Sequence, residues 1–228
     1  IPLRDDVISC GVVYDGRYLF KNSPPNEKQF LSYIKSHKAL NGLFKKDNLL
    51  NFKTANNYSY SSNKFISLEK RFVLLGDAGG FIDPLYSNGL DMLAQESDFF
   101  VDIIYKDLKG TKSKEELLDL VEKANALIDR SYEYYATLIL GKYSCLGSCE
   151  IFSLKYFFEF FSYYLNRVWP FVSKQTVTDL YTQNNDIKFI FDIITHNFLI
   201  LADEYKKQNL FYRKNRRWKQ YSRRGIHI

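Results

Sequence analysis

The sequence has few of the features that would assign it to a common structural class. It contains three cysteines among 228 residues, and only Cys145 and Cys149 lie close together. This pattern excludes a disulfide framework and predicts a reducing, cytoplasmic environment. No charge-free apolar run reaches the roughly 20 residues that a membrane helix requires. No segment is typical of a signal peptide, so neither secretion nor a membrane span is predicted.

Several kinds of site are missing from the sequence as well. Cys145 and Cys149 have no second pair of ligands, so no metal site is predicted. The three histidines form no Ser/His/Asp or Cys/His group with their neighbours. The Gly-x-Gly-x-x-Gly fingerprint of dinucleotide-binding proteins is absent too. The chain therefore offers no catalytic group of a familiar kind.

Positive charge is concentrated at the C-terminal end. The formal net charge is +6, yet no acidic residue follows Tyr205. Nine basic residues lie beyond that point: Lys206, Lys207, Arg213, Lys214, Arg216, Arg217, Lys219, Arg223 and Arg224. Tyr212, Trp218 and Tyr221 lie between these charges. Such a mixture of basic and aromatic residues occurs in some segments that bind nucleic acids or anionic membranes. A solvated terminus is the favoured interpretation, docking to an acidic partner such as a carrier protein is the alternative, and a nucleic-acid partner is not favoured.

The most informative segment runs from Arg71 to Leu90. An apolar run, Phe72 to Leu75, predicts a strand buried on both faces. It leads directly into Gly76, where the backbone can approach a ligand closely. Asp77 then supplies a carboxylate that can accept hydrogen bonds from sugar-type hydroxyls. A strand that ends in this pattern is typical of a nucleotide or flavin site.

The second half of the segment predicts a turn that leads into a helix. Asp83 and Pro84 stiffen a loop, and Asn88 with Gly89 permits positive φ after Ser87. A helix beginning near Leu90 then presents free amides and the positive end of its dipole. Such a helix end stabilises an anion.

Residues 76–90 resemble the second flavin motif of flavin-dependent halogenases, the tryptophan-halogenase-like group. The family's usual form is Gly-Asp-Ala-Ala-x-Phe-Ile-Asp-Pro-Leu-Phe-Ser-Ser-Gly-Val, and this chain reads Gly-Asp-Ala-Gly-Gly-Phe-Ile-Asp-Pro-Leu-Tyr-Ser-Asn-Gly-Leu. Residues 1–13 resemble the end of the family's Trp-x-Trp-x-Ile-Pro segment and the strand after it. The resemblance covers roughly residues 1–110 and implies that the chain is the C-terminal part of a flavin monooxygenase.

The resemblance implies FAD as the cofactor, reduced by a separate flavin reductase. The residues that match the family's flavin site are Gly76, Asp77, Asp83, Pro84, Ser87, Asn88, Gly89 and Leu90. The amides of Asn88 and Gly89 would bind chloride or bromide. Reduced FAD and molecular oxygen would give a flavin hydroperoxide and then hypohalous acid, which halogenates an electron-rich aromatic, phenolic or pyrrole-type substrate in secondary metabolism. That substrate is free or carried on a carrier protein.

The family's catalytic lysine and glycine-rich fingerprint lie upstream of Ile1, so activity is expected only with the N-terminal part. Two positions depart from the motif: Asn88 replaces Ser or Thr, and Asp91-Met92 replaces His-Leu. A carboxylate at Asp91 opposes halide binding by repulsion. A flavin hydroxylase or a geranylgeranyl-reductase-like oxidoreductase without halide use therefore remains an alternative. A non-catalytic module that docks a partner is the second alternative.

The predicted fold class is α/β, as part of a two-domain flavin monooxygenase with a C-terminal helical region. Residues 1–70 are assigned to a substrate-side β-sheet region with short helices. Residues 71–110 are assigned to the returning FAD-binding strand, turn and helix, and residues 111–228 to a helical region with the basic tail. Within the first region, residues 7–14 predict a strand, Asp15-Gly16 a hairpin turn, and residues 17–21 the return strand. Residues 27–36 predict a helix, and residues 49–67 one or two strands.

Five helices are predicted after the motif. They span residues 90–108, 114–140, 151–168, 174–183 and 186–207, and Ser113 with Glu116 forms a capping box for the second. Residues 141–148 are predicted to break the chain between helices. The 151–171 stretch is strongly aromatic, and core packing is the favoured interpretation. A cover over an aromatic or acyl pocket and an interfacial membrane helix are the alternatives. Lys155 and Glu159 are predicted to pair on one helix face.

Overall fold

The structure is a computed structural model that describes residues 1–14, 16, 19–20, 23–42, 49–183 and 187–211. The chain forms two compact units, Ile1–Tyr58 and Ser59–Ile228. Of the predicted hairpin turn at residues 15–16 and its return strand, only residues 16, 19 and 20 are described, and most of the basic tail lies outside the described residues. The motif and all the predicted helices after it belong to the second unit.

The described part of the first unit contains one helix and little β-structure. Helix α1 spans Glu27–Ser36, and Asn26 caps it with Gln29 in a reciprocal capping box, so the predicted helix is confirmed. The predicted strand at residues 7–14 is wrong, because only an isolated bridge pairs Pro2 with Ile8. The chain there turns sharply through Asp5 and Asp6, whose φ values are +60° and +58°, and residues 9–14 have no regular strand partner among the described residues.

The β-structure of the second unit consists of two-residue strands. Strands β1 (Tyr60–Ser61), β2 (Ile66–Ser67), β3 (Phe72–Val73) and β4 (Gly80–Phe81) pair antiparallel, β1 with β4 and β2 with β3. One or two strands were predicted within residues 49–67, and two short ones are present. The prediction of a strand at residues 72–75 buried on both faces is wrong in length and burial. The strand ends at Val73 and is half-buried, because its one partner is a hairpin neighbour.

Two long helices follow the motif. Helix α2 spans Gly89–Lys109 and ends at Gly110, whose φ is +60°. Helix α3 spans Lys114–Cys145, and the predicted capping box of Ser113 and Glu116 is present. The predicted break at residues 141–148 is present only at its end, because α3 passes through Gly141 to Cys145 and the next helix begins at Cys149. A Cβ on Gly141 would lie 2.8 Å from the Thr195 side chain, so glycine allows a close helix crossing.

The remaining helices complete the second unit. They are α4 (Cys149–Tyr163), a π-helical turn (Tyr164–Val168), α5 (Trp169–Val172), α6 (Val177–Gln183) and α7 (Ile187–Lys207). The helical path therefore continues past Pro170 to Val172, later than predicted, because Pro170 lies in the first turn of α5, where proline is tolerated. None of the described helices combines the length and apolar character of a membrane span.

The main core lies where the β-hairpins, α2 and α3 meet. Its most buried members include Phe65, Phe100, Ile103, Ala124 and Ile128. A smaller cluster joins Cys145, Ile151 and Ala202 from α3, α4 and α7. The molecule is thus helix-rich with small sheets, in agreement with the broad α/β assignment.

Most of the buried side chains of helix α4 are polar and most of its large apolar side chains are exposed, which corrects the favoured core-packing interpretation of the aromatic stretch. Its buried side chains include Lys155, Glu159 and Ser162. Its exposed side chains include Leu154, Phe157, Phe160 and Phe161, which are 56–70% exposed. The sequence cannot show this arrangement, because the neighbours that bury Lys155 come from α3 and α7.

Candidate functional site

The first half of the motif is held by contacts to its backbone. Residues Gly76–Ala78 form a 3-10 turn, and Gly76 has a φ of +52°, which only glycine adopts without strain. The Gly76 amide donates to Glu96 Oε2 of α2 at 2.7 Å. Glu96 is 1% exposed, and burial raises its pKa although the Gly76 amide and the Tyr132 hydroxyl both oppose the shift. A buried carboxylate thus fixes the turn.

Tyr132 of α3 fixes the next residues of the motif. Its hydroxyl donates to the Gly80 carbonyl oxygen at 3.0 Å. A Cβ on Gly80 would lie 2.5 Å from the Tyr132 ring, and one on Gly79 would lie 2.8 Å from Phe65. The two glycines are therefore required by internal packing, independently of any ligand.

Asp77 lies at the surface end of this turn. Its side chain is exposed, while its main-chain oxygen accepts from the Tyr60 hydroxyl at 2.5 Å. The carboxylate accepts no hydrogen bond from any other described residue. It is therefore free to receive one from a ligand hydroxyl, as the sequence predicts.

The second half of the motif is held by side chains instead. Asp83 is buried and accepts from the Tyr143 hydroxyl of α3 at 2.9 and 3.1 Å. It also accepts from the Leu85 amide at 2.8 Å, which closes a tight turn over the exposed Pro84. These bonds give Asp83 a structural role in shaping the loop.

The turn before α2 leaves the helix end open. Ser87 carries the positive φ of +54°, whereas Asn88 is helical at −69°. The prediction that placed this conformation at Asn88-Gly89 is therefore wrong. Asn88 is the N-cap, but its side chain makes no capping bond. A Cβ on Gly89 would meet nothing within 4 Å, and Leu90 is 76% exposed.

A buried charge cluster anchors the loop to the helices beyond it. Lys142 Nζ of α3 lies 2.7 Å from Glu159 Oε2, and Lys155 Nζ lies 2.5 Å from Glu159 Oε1. All three side chains are at most 4% exposed. The Tyr86 hydroxyl donates to Glu159 Oε2 as well. The predicted pairing of Lys155 with Glu159 is confirmed, but Lys142 and Tyr86 were missed, because no local pattern links them to α4.

Burial and charge both act on the ionisation of this cluster. Burial raises the pKa of Tyr86 strongly, and the adjacent Glu159 carboxylate raises it further. Burial lowers the pKa of Lys142, against the opposing effect of Glu159. Tyr86 therefore remains a neutral hydrogen-bond donor at physiological pH.

An aromatic pocket of about 250 Å³ adjoins the open end of α2. Its lining consists of Tyr86, Asn88, Asp91, Tyr134, Tyr135, Leu138, Tyr156, Glu159, Phe160 and Tyr163. We call this space the tyrosine pocket. Burial raises the pKa of Tyr163, and a hydrogen bond with Asp91 adds to the shift. Asp91, the departure noted in the sequence, thus lies in the wall of the pocket.

A larger groove of about 500 Å³ runs along α2. Asp91, Gln95, Asp98 and Asp102 line one wall, and Arg167, Phe171 and Gln175 are among the residues opposite. Arg167 donates to Gln95 and lies 5.1 Å from the centre of the Tyr135 ring. The groove and the tyrosine pocket share Asp91 and Tyr163 as lining residues. The two spaces are therefore adjacent near the N-terminal end of α2.

The residues at the end of α2 fit a flavin and an anion. The first-turn amides have no side-chain cap, and these groups normally require a partner. The open space beside Gly89 would be filled by any larger side chain. The free Asp77 carboxylate adds an acceptor for a hydroxyl. The donors and acceptors needed to hold FAD and a halide are therefore available.

Comparison with known proteins places these features in context. No family model matches the chain, and no solved structure matches it. Curated relatives include a flavin-dependent halogenase of Dictyostelium discoideum, 22% identical over 202 residues, with 88% of this chain and 33% of that protein covered. A flavin-dependent halogenase of Armillaria mellea is 26% identical over 164 residues, with 66% and 30% covered.

A third relative is named for its substrate. It is the 1H-pyrrole-2-carbonyl-[peptidyl-carrier protein] chlorinase of Pseudomonas fluorescens, 29% identical over 93 residues, with 40% of this chain and 20% of that protein covered. The resemblance predicted from residues 76–90 is confirmed by these three relatives. The chain spans about a third of the length of the first relatives it matches. It is thus a homologue of flavin-dependent halogenases, which are flavoprotein oxidoreductases.

Proposed function

We propose that the protein containing this chain is an FAD-dependent halogenase that acts on an electron-rich aromatic, phenolic or pyrrole-type substrate. The observation that carries the proposal is the open, uncapped N-terminus of α2 directly beside the tyrosine pocket. An anion and an aromatic ring would thereby lie in adjacent spaces. The three halogenase relatives support the same chemistry. The whole protein would have the two-domain flavin-monooxygenase fold, with this chain as its C-terminal part.

Each motif residue has a distinct task in this proposal. Asp77 accepts a hydrogen bond from a flavin ribityl hydroxyl. Asp83 and Pro84 hold the loop in shape, and Ser87 makes the turn that presents Asn88, Gly89 and Leu90 to the flavin. The main-chain amides of Asn88 and Gly89 bind chloride or bromide, aided by the positive end of the helix dipole.

Bound FAD, reduced by a separate flavin reductase, supplies with molecular oxygen the oxidising power that converts halide to hypohalous acid. The tyrosine pocket binds the substrate with residues of this chain. Its apolar rings exclude water and receive a flat aromatic substrate, because aromatic pairs gain from offset or edge-to-face stacking. The catalytic lysine implied by the resemblance is not assigned to any residue of this chain, so the test is made on the full-length protein.

The experiment uses the full-length protein with FAD, NADH, a flavin reductase and 3,5-dihydroxytoluene as the phenolic probe. We expect product with the isotope pattern of one added chlorine or bromine, and none without added halide. Gly89→Val should abolish product, because the side chain fills the space beside the amides. A halogenated product formed equally by Gly89→Val would contradict the proposed halide site.

A flavin hydroxylase or reductase without halide use is the second candidate. Asp91 favours it, because its carboxylate lies in the first turn of α2 and lines the pocket, where it repels an anion. An oxygenated or reduced product that is identical with and without halide would support this candidate. Asp91→Asn should then leave turnover independent of halide, whereas in a halogenase it should lower the KM for halide.

The partners of the protein are proposed as well. The name of the pyrrole-carbonyl chlorinase refers to a carrier-protein-bound substrate, and we propose a carrier-linked aromatic as one substrate form. The basic tail would dock the acidic carrier, by charge attraction that weakens with salt. Lys206 and Lys207 are already paired with Asp203 and Glu204, so the contact would fall on residues 213–224. Activity on carrier-linked substrate that survives removal of residues 213–224 at low salt would contradict this role.

A further inference from the structure

We propose that Glu159 is a positioning residue that fixes the Tyr86 hydroxyl, and thereby sets the shape of the tyrosine pocket and of the loop leading to Gly89. The inference rests on the proposed function, since it concerns the same pocket. It assigns a role to a buried charge cluster that neither the flavin motif nor the resemblance includes.

Glu159 has an ion-pair partner on each oxygen, although Oε1 and Lys155 Nζ make no hydrogen bond. Oε1 pairs with Lys155 and Oε2 with Lys142, at 2.5 and 2.7 Å. Oε2 also accepts from the Tyr86 hydroxyl. Because both lysines come from packed helices, the carboxylate has little freedom to rotate. A fixed carboxylate presents a fixed acceptor to Tyr86, 73 residues away along the chain.

Lys142 is enclosed by rings as well as by charge. Its ammonium lies 4.3 Å from the Phe152 ring centre, 4.9 Å from that of Tyr86 and 5.3 Å from that of Tyr156. Cation–π attraction of this kind adds to the ion pair when the site is desolvated. Tyr86 and Tyr156 are both pocket walls. The cluster therefore orders two walls of the pocket from behind.

Two side-chain hydrogen bonds join the loop from Asp83 to Gly89 to helices α3 and α4. One is Asp83 to Tyr143 of α3, and the other is Tyr86 to Glu159 of α4. Beyond them, Gly89 has no neighbour within 4 Å of a Cβ position. The second hydrogen bond is the one nearer the open end of α2, so Glu159 controls that end through Tyr86.

A stabilising role alone does not account for the cluster. A buried ion group contributes less to stability than apolar residues of the same volume, since desolvation offsets the attraction. Helix α4 has many aromatic residues, yet Phe157, Phe160 and Phe161 point outward while Lys155 and Glu159 point inward. The charges lie where the loop, α3 and α4 meet, which is the position from which a pocket wall can be oriented.

The test uses full-length protein loaded with FAD, and 4-methylphenol as a probe of the pocket. The variants are Tyr86→Phe, Glu159→Gln and the double variant, with Asp119→Asn as the control. Asp119 forms a similar i,i+4 pair with Lys123, but 57% exposed and on the surface of α3. Probe affinity is measured by ligand-observed NMR titration, flavin occupancy by absorbance, and folding by circular dichroism.

We expect Tyr86→Phe and Glu159→Gln each to weaken probe binding by roughly five- to tenfold, the size of one lost hydrogen bond. The double variant should bind the probe no more weakly than the single variants do, because the two residues act through one hydrogen bond. Flavin occupancy should stay at the wild-type level in Tyr86→Phe, and turnover on a phenolic substrate should show a raised KM with little change in kcat. Asp119→Asn should bind the probe normally.

Wild-type probe affinity in a folded Tyr86→Phe protein would overturn the inference, and so would additive losses in the double variant. If Glu159→Gln does not fold, Tyr86→Phe still decides, since it removes the hydroxyl and leaves both ion pairs intact. The test is independent of turnover. If the variants lose probe binding non-additively but no halide-dependent product forms, the proposed halogenase is refuted and the positioning role is kept. If halogenated product forms but the variants bind the probe with wild-type affinity, the positioning role is refuted and the halogenase is kept.

Discussion

The two halves of the flavin motif are anchored in different ways. Residues 76–81 are held through their backbone. Glu96 accepts a hydrogen bond from the Gly76 amide, and Tyr132 donates one to the Gly80 carbonyl oxygen. Gly80 also has no room for a Cβ. Residues 83–89 are held through side chains, and Gly89 at their end is open. The first half is therefore a packed scaffold. The second half leaves its main chain free, which is what a ligand-binding turn requires.

The buried carboxylates that contact the two halves, Glu96 and Glu159, differ in their own partners. Glu96 is satisfied by a backbone amide and a hydroxyl, and no ion pair forms with it in the described residues. Glu159 instead forms ion pairs with two lysines and accepts a hydrogen bond from Tyr86. Four predictions, in decreasing order of expected effect, test this comparison.

The largest effect is expected from Glu159→Leu. Removing the carboxylate leaves Lys142 and Lys155 buried without a counter-charge, so the free energy of unfolding should fall by about 3–5 kcal/mol. Urea denaturation followed by circular dichroism measures the change. Asp119→Asn, which removes an exposed pair of similar i,i+4 geometry, should cost about 0.5 kcal/mol or less. Equal losses in the two variants would refute the contrast between buried and exposed pairs.

A smaller but clear effect is expected from adding one methyl group to each half of the motif. In Gly80→Ala the new Cβ would lie 2.5 Å from the Tyr132 ring, so the free energy of unfolding should fall by about 1–3 kcal/mol. In Gly89→Ala the new Cβ meets nothing, and stability should stay within about 0.5 kcal/mol. Thermal unfolding of both variants checks this difference, and equal destabilisation would remove the distinction between packed and open glycine.

The pH dependence of stability should report on Glu96. The pKa of Glu96 in the folded protein is raised above its ordinary 4.5. Between pH 4.5 and that higher pKa, the folded state binds more protons than the unfolded state, so this group's contribution falls as pH rises. Glu96→Gln cannot titrate and should flatten that slope, with a change of about 1 kcal/mol or less near neutral pH. An unchanged slope in urea titrations across this window would show that Glu96 is not its source.

The smallest effect on stability is expected from Asp77→Ala. The side chain is exposed and accepts no hydrogen bond from the described residues, so the free energy of unfolding should change by about 0.5 kcal/mol or less. Flavin retention by the full-length protein should nevertheless fall, because a ribityl-hydroxyl acceptor is lost. Gel filtration followed by flavin absorbance measures it. Full flavin occupancy in the variant would show that this carboxylate does not contact the cofactor.

Local signals predicted the helices well. The capping box at Ser113 was readable because its partner Glu116 lies only three residues away. The boundaries of α2 follow from the turn before it and Gly110 after it. The motif itself was recognised from consecutive residues 76–90. Each of these features depends on a few neighbouring side chains, so the sequence contains all the necessary information.

Several features of the site could not be predicted in this way. The contact of Tyr86 with Glu159 joins residues 73 positions apart, and nothing in either segment specifies the other. Gly141 was taken as a helix breaker, but it permits a helix crossing with Thr195. Positive φ occurs at Ser87 rather than at the glycine two residues later, because Asn88 already has helical backbone angles and α2 begins at Gly89.

The sequence by itself determined the flavin motif, the helices with their caps, and the pairing of Lys155 with Glu159. The tertiary structure alone decided which face of α4 is buried, how Lys142 and Tyr86 join that pair, and where the motif leaves its main chain open. The physical reason is one of range. Propensities, caps and i,i+4 contacts act within a few residues, whereas burial depends on which distant helices pack together.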